Sequence, residues 1–221
     1  MNPKKLQELN EDLGTCTMVV LDKNTIILRD LEKHKDFMLQ KCNINTIADK
    51  SGQNIYLIGG QYSPNRIRRF NIADNTFTEL PVKLIVPRFG GHMCALIPNT
   101  NKIMITGGKF SLLPDYNPWA LSRSTEIFDT ENESVTLAGE MKFSRRYHGI
   151  GVLTINDKDR LAVFGGVDDL FGCLREDLLR SVELYDAQND IWEISNIKMQ
   201  KVRNELGFKS FKQGEISLSI D

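Results

Sequence analysis

Three Gly-Gly pairs limit what this chain can fold into more than any other feature of its sequence. Gly59-Gly60 closes the run NIYLIGG, Gly107-Gly108 closes KIMITGG and Gly165-Gly166 closes RLAVFGG. A short apolar run that ends in Gly-Gly reads as a strand buried on both faces, stopping where the backbone must bend or approach a neighbour closely. After each pair comes an alternating segment: RIRRFNIADNTFTEL, STEIFDTENESVTL and SVELYDAQNDIWEI. Each holds a period-2 strand, a polar turn rich in Asn, Asp and Thr, and a second short strand, which is a hairpin pattern.

The spacing makes this a repeat. Phe70, Phe128 and Tyr185 lie 58 and then 57 residues apart, and Phe77, Val135 and Trp192 keep the same steps. Arg88, Arg145 and Arg203 follow nearly the same interval. Gly59 and Gly107 are only 48 apart, and the difference falls between Gly-Gly and the aromatic position, so insertions collect in one loop. Each unit therefore predicts a strand a (about 43–48, 91–97 and 148–154), a strand b ending in Gly-Gly, a variable loop, a strand c and a strand d. Four antiparallel strands recurring at a period near 50 describe a β-propeller blade.

With Glu126-Ile127-Phe128-Asp129, Glu183-Leu184-Tyr185-Asp186 and Trp192 following the Gly-Gly strands, residues 40–211 resemble the kelch repeat family. The resemblance implies an all-β propeller array with blades at about 43–80, 91–138 and 148–195, after a helical or irregular lead-in over 1–14. Residues 15–30 read as a c–d hairpin around Asp22-Lys23-Asn24, and 204–221 as an a–b pair. These two could combine into a composite fourth blade that closes the ring, or the array of three to four blades could be part of a larger propeller. The first unit departs from the pattern: Arg68 stands where the others have Glu and Asn71 where they have Asp, while Phe77 and Val135 replace the tryptophan. These departures predict less regular outer strands in those blades.

Composition narrows the function. Twenty-eight Lys and Arg against 29 Asp and Glu leave a net charge of -1, so no global basic field draws the chain to nucleic acid or to an anionic membrane. The four cysteines, Cys16, Cys42, Cys94 and Cys173, are far apart and contain no CxxC pair, which favours reduced thiols and a cytoplasmic setting. The start MNPKKLQELNEDLG is charged, and no window approaches the roughly 18 apolar residues of a membrane span. GxGxxG, Walker A and GxSxG motifs are missing, and the Gly-Gly pairs lack the following helix that a phosphate loop needs. Asn132-Glu133-Ser134 matches a glycosylation sequon, but nothing directs secretion.

Candidate binding residues lie in the connections. Arg88, Arg145 with Arg146, and Arg203 precede strand a of successive units, and Lys41 holds about the same place before the first. In a propeller the d–a and b–c connections emerge on one face, so these cations would ring the channel mouth and suit an acidic or phosphorylated peptide. The competing reading is a scaffold role, bonding backbone carbonyls or acids of adjacent blades. The long b–c loops carry Leu112, Leu113, Tyr116, Trp119, Leu170 and Phe171, either as interface anchors or as a small cluster folded over the propeller face. His92 and His148 recur with the repeat, and no metal or cofactor is expected. Glu126, Glu183, Asp129 and Asp186 recur likewise and read as stabilising turns and blade contacts.

The kelch resemblance implies a non-enzymatic protein-binding module, such as a substrate-recognition part of a ubiquitin ligase or a scaffold on cytoskeletal proteins. It also implies an alternative, an enzyme of the galactose-oxidase or sialic-acid-mutarotase type on the same fold. The copper chemistry of the former needs a tyrosine–cysteine cofactor and two histidine ligands, for which the sequence offers no matching motif.

Overall fold

The structure is a computed structural model of the 221-residue chain, describing residues 16–22, 25–30, 45–60, 63–110, 120–167 and 180–199. Strands β1 (Cys16–Asp22) and β2 (Thr25–Asp30) form a two-stranded antiparallel hairpin of their own. Its union with 204–221 lies outside the described residues. Three four-stranded antiparallel sheets follow. The first blade contains β3 (Asn45–Ala48), β4 (Asn54–Ile58), β5 (Arg66–Asn71) and β6 (Thr76–Lys83), paired in that order.

The second blade contains β7 (Met93–Leu96) and β8 (Lys102–Thr106), then a short ladder of β9 (Lys109–Phe110) with β10 (Ala120–Leu121), then β11 (Thr125–Asp129) and β12 (Ser134–Ala138). The third contains β13 (Gly149–Ile155), β14 (Lys158–Phe164), β15 (Ser181–Asp186) and β16 (Ile191–Lys198). All three are simple meanders, so sequence neighbours are sheet neighbours. The three sheets run over residues 45–83, 93–138 and 149–198, and the structure is that of β-propeller blades.

Strand alternation splits each blade into two apolar faces. In β4, Tyr56 and Ile58 join Ile67, Leu80 and Leu84 of the first blade and Ile103, Ile105 and Phe128 of the second in one core. Across that seam the Tyr56 and Phe128 rings meet edge to face, 5.2 Å apart. Between the second and third blades a matching core gathers Met104, Ile150, Leu161, Val163, Tyr185 and the fully buried Trp192. Double-faced burial explains the continuous apolar run before Gly107-Gly108: in β8, Ile103 and Ile105 face the first blade and Met104 the third.

The aromatic at the end of strand c stacks on its cross-strand partner in strand d. Phe70 lies 4.6 Å from Phe77 and Tyr185 lies 5.1 Å from Trp192. Phe77 thus does the work of the tryptophan, and β6 matches β16 at eight residues, so the first blade's outer strand is not degraded as its sequence suggested. Asn71 also takes the place of Asp in accepting the turn amides. Its Oδ1 accepts the amides of Ala73 and Asp74, as Asp129 accepts those of Glu131 and Asn132. Only β12, with five residues, is short.

The Gly-Gly pairs serve the seams. Gly59 has φ of +61°, and a Cβ there would sit 3.0 Å from the Arg88 carbonyl and 3.1 Å from the His92 ring of the next blade. Gly108 has φ of +93°, and a Cβ there would sit 2.7 Å from His92 of its own blade. The first glycine lets the next blade in, and the second clears its own histidine.

Candidate functional site

The connector face is built around two buried ion pairs. Arg88 and Arg145, the residues just before strand a, have no side-chain exposure at all. Arg88 donates from Nε (3.0 Å) and Nη2 (2.8 Å) to Glu126 Oε2, from Nη1 to the Gly107 carbonyl (2.5 Å) and from Nη2 to Ser124 Oγ (3.1 Å). Arg145 repeats this on Glu183 Oε1 (3.1 and 3.0 Å), the Gly165 carbonyl (2.6 Å) and Ser181 Oγ (2.5 Å). The carboxylates are filled from the other side by connector amides. Ile85 and Val86 donate to Glu126, and Lys142 and Phe143 donate to Glu183.

Each arginine also binds backward through its backbone. The Arg88 carbonyl accepts the Gly60 amide at 2.9 Å, and the Arg145 carbonyl accepts the Gly108 amide at 2.7 Å. One residue therefore pins the connector to strands b and c of its own blade by its side chain, and to the preceding blade by its main chain. This corrects the expectation of a ring of guanidiniums at the channel mouth: Arg88 and Arg145 lie inside the blades, with their charge used in the scaffold. Arg203 lies outside the described residues.

The histidines lock the same seams. His92 Nε2 donates to the Ile58 carbonyl of the preceding blade at 2.9 Å. His148 Nε2 meets Thr106 Oγ1 at 2.7 Å, while that hydroxyl donates to the Met93 carbonyl. In both rings Nδ1 is buried without a hydrogen-bond partner, which fits a neutral Nε2–H tautomer. Burial first, then the nearby Arg88, brings His92 down to about 4, the Ile58 bond opposing only in part. His148 is likewise held well below the usual range by burial, then by Arg145. Partly buried Cys94 has its thiol pushed up, above all by desolvation. Among the described residues no group of three or more His, Cys, Asp and Glu is placed to hold a metal ion, and no helix is long and apolar enough to cross a membrane.

What remains at the surface of this face is different in kind. Gly90 bridges Lys109, with the Lys109 amide donating to the Gly90 carbonyl at 2.8 Å. The next residue, Gly91, lies beneath the third blade: a Cβ on it would sit 2.9 Å from Arg146 Cβ, and its carbonyl accepts the Tyr147 amide at 2.8 Å. Consecutive glycines thus carry Lys109 on one side and Arg146 on the other. The Arg146 guanidinium lies over the Tyr147 ring, 5.4 Å from its centroid, and Tyr147 itself takes a left-handed φ of 52°. A bulky residue in that region stores backbone strain held by its surroundings. Lys109 and Arg146 are both half-buried, and the Lys109 ammonium is held below the ordinary lysine range by burial and then by Arg146. Ile85 of the first connector is 51% exposed.

Of the residues expected to bind a partner, Arg146 is the one the described surface presents. Tyr116, Trp119, Leu170 and Phe171 lie outside the described residues. Lys109 and Tyr147 escaped the sequence reading because neither recurs with the repeat. Ser124 and Ser181 were detectable, each standing two residues before the strand-c glutamate.

No protein-family model matches the chain, and no curated protein matches it. Among solved structures it is similar to the structure of YjhT, at 15% sequence identity and a TM-score of 0.56, over 86% of this chain and 66% of that one. The chain therefore spans just under two thirds of that protein's length. At this identity the likeness is one of fold, and it agrees with the propeller blades described above.

Proposed function

We propose that the chain is a kelch-type β-propeller interaction module that binds a protein partner through its connector face, without catalysis, as a recognition or scaffold part of a larger assembly in the cytoplasm. The observation that carries this reading is the division of polar groups on that face. The buried acids and bases that could do chemistry are committed to the scaffold: Glu126 and Glu183 to arginines and amides, His92 and His148 to blade seams. The cations Lys109 and Arg146 remain partly exposed, and Ile85 on the first connector is exposed. A rigid framework that spends its interior on itself and presents charge and apolar surface on its loops suits partner capture.

The test is affinity capture from the protein's own cell extract, read by mass spectrometry, with the wild type against Ile85→Asp and Arg146→Glu. Both variants are expected to keep the wild-type melting transition and to lose the specific partner. Unchanged capture by both folded variants would overturn the reading.

A further inference from the structure

We draw no further inference here: the strongest candidate, the outer edge strand β16 of the third blade with Ile191, Ile194 and Ile197 exposed along it, carries none because nothing among the described residues shows what covers it.

Discussion

The second and third blades are closed by the same set of bonds, and the first blade, built on the same strands, has that set broken. In the former an arginine from the connector meets a glutamate on strand c, both with zero side-chain exposure, with a serine and a glycine carbonyl completing the guanidinium's partners. In the first blade the strand-c position is Arg68, still buried at 7% exposure, while the connector position is Lys41. Arg68 reaches Ser63 Oγ only at 3.4 Å and the half-exposed Glu79 only at 3.6 Å, and its Nη2 has no partner. The fold tolerates the exchange because packing sets the blade: Ile55, Leu57 and Phe70 on that face are as buried as their counterparts. Charge pairing is an added feature of a seam, and it can be present or absent without changing strand order.

The largest expected effect comes from breaking a complete pair. Arg145→Ala should destabilise the chain by about 3–5 kcal/mol in urea unfolding, since Glu183 would be left charged, buried and short of its main partner. Replacing both members together, Arg145→Met with Glu183→Leu, should cost far less than that single change, because two apolar side chains remove the need for compensation. A double variant as unstable as Arg145→Ala would mean that the bonds to Gly165 and Ser181 matter more than the carboxylate.

The next effect concerns the histidine that bridges each seam. In the unfolded chain His92 titrates near 6.5, and in the folded chain near 4, so between these values the unfolded state holds more protons. Stability is therefore fully present above about pH 6.5 and declines as the pH falls toward 4. The loss for His92 alone is roughly 3 kcal/mol, and His148 adds to it in the same direction. Asp129 and Asp186, whose carboxyls are held down mainly by hydrogen bonds from Asn132 and Asn189 respectively, lose their contributions only below the ordinary aspartate range. Urea midpoints measured from pH 7 to pH 4 should thus fall before the aspartates respond, and His92→Gln should flatten the slope. A flat wild-type profile across that window would remove the buried neutral histidine from the account.

Much of this architecture was legible in the chain because the repeat is geometric. Gly-Gly, the strand-c aromatic and the turn Asp or Asn each sit where a backbone constraint demands them, and their spacing located all three blades. The burial of Arg88 and Arg145 was harder to see, since an arginine in a connection ordinarily reads as exposed. One signal was available: Arg88 precedes Glu126 by 38 residues, and Arg145 precedes Glu183 by the same 38. In the unit where the glutamate is lost, the arginine position also changes, to Lys41. Residues that vary together within one chain are candidates for touching. Lys109 and Tyr147 offered no such signal, because a site that breaks the repeat cannot be found through the repeat.

The smallest expected effect has the opposite sign to the first. Arg68→Met keeps a long flexible stem among Ile55, Leu57 and Phe70 and deletes a cation whose Nη2 has no hydrogen-bond partner. Its nearest acid, Glu79, is 44% exposed and already bonded to Arg66 at 3.1 Å, so little ion-pair energy is lost. The desolvation of the guanidinium is removed while nearly all of its apolar contact remains, and the variant should be more stable by about 1 kcal/mol. The urea midpoint is expected to rise with an unchanged slope. A loss comparable to that of Arg145→Ala would show that Arg68 is compensated after all, and that the first blade is closed by a bond set of its own.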